Sequence, residues 1–248
     1  MKKIVLLLSL VSCTIGFAQK KTENKKEKTK KDWSKLDFSN RSADHFMLQY
    51  GSDSWTGGPD TIRTKGFSRH FNLYFMVDKP FKTNPRFSVG LGAGISSSNI
   101  FFDRMSLDLK AATTRLPIRN LADTSHFSKY KLTTIYGEIP VELRYFSNPE
   151  NPNKSWKAAL GVRVGTILRA HTKGKDFVNK AGASLYDNRY IQKEVGRRFM
   201  NGTRIALSGR VGYGIFSIHA TYQVTSVFKE GLGPEVRPFS LGVTISGL

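Results

Sequence analysis

Cysteine, acidic charge and long apolar runs are what this sequence has little of. The 248 residues contain one cysteine, Cys13, and it lies in an N-terminal segment with the form of a cleaved leader. A mature chain cut after Ala18 therefore carries no thiol for a disulfide or a metal. Acidic residues are outnumbered: 19 Asp and Glu stand against 39 Lys and Arg, a formal charge of +20, which favours anionic partners. No stretch approaches the roughly twenty consecutive apolar residues of a transmembrane helix, so any membrane crossing must be made by strands. Phosphate-binding glycine loops, a His-Glu-x-x-His helix and paired His and Cys spacings are missing too. Nucleotide, zinc and other cofactor chemistry has no support, and the expectation is no cofactor and no enzyme.

The first residues point to export rather than to nucleic acid. Met1-Lys2-Lys3 is a positive n-region, Ile4 to Val11 a short apolar stretch, and Gly16-Phe17-Ala18 supplies small residues before Gln19, so residues 1–18 are expected to be a signal peptide. Leu10-Val11-Ser12-Cys13 also has the form of a lipoprotein box, behind a shorter apolar region. Residues 19–43 open with QKKTENKKEKTKKDWSK. That stretch has one aromatic and no aliphatic residue, so the expectation is a disordered periplasmic tail.

From 44 to 248 the texture is all-β: eight segments alternate at period two. In TTIYGEIPVELRYF, residues 133–146, the apolar positions Ile139, Val141, Leu143 and Tyr145 interleave with Glu138, Glu142 and Arg144. The segment beginning at Trp156 sets Lys157, Arg163 and Arg169 against Ala158, Leu160, Val162 and Val164. Later segments place Arg204 and Arg210, then Ser217 and His219, on their polar faces. Connections alternate between short turns and long loops (103–127 and 171–200), as in outer-membrane barrels with short periplasmic turns and long extracellular loops. Polar faces that mix both charge signs with many glycines fit a narrow interior. Phe87, Tyr145, Trp156, Tyr213 and Phe216 cluster beside the short turns as an aromatic girdle, with Tyr50, Tyr222 and Phe228 toward the other rim. The fold expected is an eight-stranded antiparallel transmembrane β-barrel in the cell outer membrane. A secreted lipocalin-like barrel would instead turn its aliphatic face inward.

The leader ending in Phe-Ala-Gln, YGEIPVELRYF, GVRVG and the glycine-rich FSVGLGAGISSS together resemble the outer membrane protein β-barrel domain family of Bacteroidetes, which includes PorT-like proteins. The resemblance spans about residues 44–248 and implies an outer-membrane barrel, with PorT-like members serving protein secretion and gliding.

Three expectations concern sites. Glu138, Glu142, Arg144, Lys157, Arg163, Arg169, Arg204, Arg210 and His219 should form a lumen charge network. In that network Tyr145 opposes Trp156, Glu138 opposes Arg163 with Glu142 diagonal to Lys157, and Arg210 faces His219 across a Gly214-Ile215 turn. Lys173, Lys175, Lys180, Arg189, Lys193, Arg197 and Arg198 are candidate contacts for lipid A phosphates. Asp44-His45, Ser125-His126 and Ser217/His219 are the pairs a hydrolase would need, and interior or loop hydrogen bonding explains them as well. The function expected is a noncatalytic structural or assembly component linked to secretion. The alternatives are a small transport pore and a lipid A-modifying enzyme. The partners expected are outer-membrane lipid, lipopolysaccharide and secretion proteins, not nucleic acid.

Overall fold

A computed structural model describes residues 45–65 and 67–247; the expected leader and lysine-rich tail lie outside the described residues. The strands are β1 (Phe46–Thr56), β2 (Arg69–Pro80), β3 (Phe87–Phe102), β4 (Met105–Leu107), β5 (Ile118–Asn120), β6 (His126–Phe146), β7 (Trp156–Val178), β8 (Ile191–Val195), β9 (Thr203–Tyr213), β10 (Phe216–Gln223) and β11 (Arg237–Ser246). Eight of them form an antiparallel ring in the order β6-β3-β2-β1-β11-β10-β9-β7, and β7 pairs back onto β6.

Alternation sets which side looks where. Along β2, Phe71, Leu73, Phe75 and Val77 are exposed while His70, Asn72, Tyr74 and Met76 are buried. The same inversion holds on β6, where Ile139, Val141 and Leu143 face out and Glu138, Glu142 and Arg144 face in. An apolar outside around a polar inside suits hydrocarbon and not water, which settles the choice against the lipocalin arrangement. No helix of the described residues is long and apolar enough to cross a membrane.

The two rims differ. Residues 81–86, 147–155 and 214–215 make one; residues 57–68, 103–125, 179–202 and 224–236 make the other. At the tightest turn Gly214 adopts φ +61° while Ile215 stays outside the left-handed region, the pattern of a type II′ hairpin. Tyr213 opposes Phe216 and Arg210 opposes His219, the register that this turn dictates.

Two expectations about β6 and β7 are corrected. Tyr145 opposes Ala158, not Trp156, and Glu138 and Glu142 oppose Gly165 and Gly161. The 3₁₀ turn Pro152–Lys154 and two hydrogen bonds, Ser147 N to Trp156 O (3.0 Å) and Trp156 N to Ser147 Oγ (2.9 Å), carry the pairing two positions past the expected register. Farther up, Ile135 opposes Arg169 while Tyr136 opposes Ile167, leaving Leu168 as an extra residue. Such a bulge flips the parity of the strand beyond it. Arg169 is therefore exposed and outside the lumen, and Ala170 and Thr172 turn inward. The expected loop from 171 also begins later, because β7 runs to Val178 and β8 pairs along its edge, His171 to Val195 and Lys175 to Ile191.

The apolar core sits at the long-loop rim, not at mid-barrel. Leu107, Leu109, Leu116, Phe199, Met200, Val227, Phe228 and Val236 come from the connections and pack on Phe102, Tyr130, Leu132 and Ile167 of the wall. Phe228, expected in an outer lipid girdle, is buried in this cap, edge-on to Trp55.

Candidate functional site

Below the cap the lumen is filled by paired polar side chains. Glu138 on β6 accepts from Arg204 on β9 (2.7 Å) through Oε1 and from the Tyr74 hydroxyl on β2 (2.6 Å) through Oε2. Arg204 also donates to Ser96 (2.9 Å) and lies over the Tyr136 ring. Arg163, the expected partner of Glu138, instead donates to the Tyr74 oxygen (3.2 Å) and covers its ring, because the shifted register sets it beside Pro140. Glu142 takes Arg144 (3.0 Å) and Arg210 (3.1 Å), and Arg144 reaches Asp78 (3.5 Å). Lys157 is buried with its ammonium over Phe146. Four carboxylates (Asp53, Asp78, Glu138, Glu142) meet five cations (Arg144, Lys157, Arg163, Arg204, Arg210). The lumen is thus close to neutral, and the chain's +20 is carried elsewhere.

Glycines make room for these side chains. Glu138 lies between Gly94 of β3 and Gly165 of β7, and Glu142 between Gly90 and Gly161. A Cβ on Gly165 would stand 2.7 Å from the Glu138 Cγ, and one on Gly161 2.9 Å from the Glu142 Cγ.

A second network lines the wall on β1, β2, β3, β10 and β11. Asn72 donates to Gln49 (3.1 Å), and Gln49 to Thr244 (3.0 Å). His219 Nδ1 lies 2.9 Å from the Thr244 hydroxyl, His219 Nε2 2.9 Å from His70 Nε2, and His70 Nδ1 2.7 Å from Asp53, which also accepts from Ser98. A carboxylate can only accept, so His70 donates from Nδ1 to Asp53. Asn72, Gln49, Thr244, His219, His70 and Asp53 thus form one continuous hydrogen-bonded chain that crosses the lumen from β10 to β2.

Both His219 nitrogens are thereby engaged, by Thr244 and His70 and not by Ser217. His126 contacts its own loop at Thr124 O (3.0 Å), and His45 the Met76 carbonyl (3.2 Å); Asp44 lies outside the described residues. Among the described residues, no group of three His, Cys, Asp or Glu has the geometry to hold a metal.

The girdle residues are on the short-turn rim. Phe87 packs on Tyr145 (centroids 5.3 Å) and Trp156 on Tyr213 (5.6 Å), with Phe216 next in the row. The basic residues expected at lipid A divide into two groups. Lys173, Lys175 and Lys193 project from the outward face of β7 and β8, whereas Lys180 pairs with Asp123 (3.2 Å) and Arg189 is exposed in the turn before β8. Arg197 and Arg198 hold the carbonyls of Ile167, Leu168 and Ala111. Sequence reading does not single out Asp53, His70, Tyr74 and Asp78 for the lumen. The inward parity of strands β1 and β2 marks all four.

A closed ring of eight strands with an aliphatic exterior and a hydrogen-bonded, ion-paired interior defines a transmembrane β-barrel. The chain belongs to the family described as outer membrane protein beta-barrel domain, whose profile matches residues 9–235, and the outer membrane is its location. In a comparison with curated proteins nothing matches.

Proposed function

We propose that the protein is a noncatalytic, self-plugged outer-membrane barrel that serves as a structural or assembly component. The observation that carries this reading is the filled lumen: the Glu138 and Glu142 networks sit below, and the loop-derived apolar cap above. Between them, lined by Trp55, Ser98, Tyr136 and Arg204, remains a cavity of about 10 Å³, on the order of one water-sized sphere. An eight-stranded ring is just wide enough to be filled by its own side chains, which disfavours a pore. What the protein offers other molecules is then its outer wall and its rims. The resemblance to PorT-like proteins supports a place among secretion components. Planar-bilayer recording tests the plug, with no steady conductance expected from the wild type; a large steady pore would overturn it. Affinity capture from outer membranes tests the assembly role, and recovery of secretion proteins is the expected result.

A further inference from the structure

On β2, β6 and β7 the outward wall turns cationic above the bulge, while on β8 the exposed Ile191 and Val195 stand on either side of Lys193. Up to Leu168 on β7, Ile135 on β6 and Phe71 on β2 the wall presents aliphatic and aromatic side chains to lipid. Immediately above, Lys131, Lys173 and Lys193 stand directly opposite one another on β6, β7 and β8, and Lys129 opposes Lys175 in the neighbouring row. Arg69 and Arg169 flank them, and Arg69 and Lys131 share the Phe101 ring, at 5.8 and 5.7 Å from its centroid.

Like charges placed directly across strands destabilise a sheet. Here three ammonium groups do so in one row. Among the described residues none of these cations is ion-paired; Lys131 has the neutral partners Asn99 Oδ1 (2.7 Å) and the Phe101 ring. The acidic residue of β8, Glu194, turns inward and accepts from Gln192. Partial burial and the charges of Lys173, Arg69 and Lys193 pull the Lys131 ammonium below its usual range. A surface built against its own electrostatics is relieved by an anion of matching spacing.

We propose that the row Lys131, Lys173 and Lys193, with Lys129, Lys175 and Arg69, is a binding site for the phosphates of lipid A. Its height selects this ligand: it lies on the lipid-facing wall where the aliphatic band ends, on the long-loop rim, which is the extracellular one in such barrels. There the anionic groups of the outer leaflet sit beside acyl chains, and the exposed aliphatic wall below receives those chains. The site stands whether or not the lumen conducts.

The test uses the full chain folded in detergent, with bisphosphorylated lipid A as probe and native mass spectrometry as readout. Removing Lys131, Lys173 and Lys193 together as Lys→Gln should cut lipid A retention at least about tenfold, each surface cation contributing roughly fivefold. Lys82→Gln with Lys154→Gln, at the opposite rim, should leave retention unchanged. Without lipid the triple variant should resist heat at least as well as wild type, since repulsion is gone, whereas lipid A should raise heat resistance of wild type alone. Equal retention by the triple variant, or equal retention of dephosphorylated lipid A by wild type, would overturn the site. Displacement of lipid A by equimolar phosphatidylglycerol would overturn its assignment to lipid A.

Discussion

Glu138 and Arg204 meet at 2.7 Å although their strands, β6 and β9, are not neighbours in the ring; β7 lies between them. The same carboxylate reaches Tyr74 on β2 in the other direction, across β3. One side chain thereby ties together strands from both halves of the barrel. Breaking a buried pair by removing one partner costs roughly 3–5 kcal/mol, because the other charge is left alone. Glu138→Ala should therefore lose stability of that order, read as a lower denaturant midpoint of the folded band in heat-modifiability gels. Adding Arg204→Ala should restore much of the loss, while adding Arg163→Ala, which contacts Tyr74 instead, should restore less. An unaffected single variant would refute the pairing.

The flanking glycines give a second expectation. Gly165→Ala would drive its methyl into Glu138 and should cost about 1–3 kcal/mol, as overpacking does. Gly209→Ala, on the outward face of β9, meets only Leu160 Cδ2 at 3.4 Å and should be nearly neutral. Urea titration of the two variants side by side separates a requirement for space from a general dislike of side chains; equal losses would contradict it.

The hydrogen-bonded chain from Asn72 to Asp53 can be cut at Thr244. Thr244→Val preserves shape but leaves His219 Nδ1 without its hydroxyl partner and Gln49 without its acceptor, an unsatisfied-group cost of about 1–3 kcal/mol. Thr244→Ser should be close to wild type. If valine and serine behave alike, the hydroxyl has no such role.

Acid should loosen the extension that β6, β7 and β8 make at the long-loop rim. His171 lies above the aliphatic band, where burial and the charges of Lys193, Arg169, Lys131 and Lys173 push its pKa from 6.5 down to about 4. A folded value below the unfolded one means that the unfolded chain takes up the proton first. The stability from neutral His171 is thus full above about pH 6.5 and fades as pH falls toward 4. Protease sensitivity of this extension in lipid-free detergent should rise across that window in wild type. In His171→Asn it should be flatter, and identical profiles would discount the histidine.

Sequence makes the ring legible because period-two alternation survives on the barrel strands, on β7 as far as its bulge, and because Gly214-Ile215 leaves a single possible register. It fails where geometry is decided by something other than alternation. Matching Tyr145 to Trp156 assumes that girdle rings pair across their shared turn, whereas each pairs with its other neighbour, Phe87 or Tyr213. Nothing in GTILRAH marks Leu168 as the extra residue, so alternation alone puts Arg169 on the wrong face. The cap is invisible for a related reason: Leu107, Leu116, Phe199 and Phe228 sit in connections without periodicity, and only the closed wall brings them together. Asp78 and Tyr74 are legible by parity alone, yet a tyrosine and a terminal aspartate on β2 do not advertise an ionic partner.

The pairing of β1 with β11 also bears on how the molecule is made. Gln49 and Thr244, which hydrogen-bond across that seam, are 195 positions apart, so no ring exists until the final strand is available. Bringing such distant ends together is a slow step dominated by chain entropy. Until it happens, Glu138, Arg204 and the two histidines have no enclosed lumen to share. A truncated chain lacking β11 would thus present an open sheet edge and a row of half-satisfied charges, which exported barrels require helpers to shield on their way to the membrane.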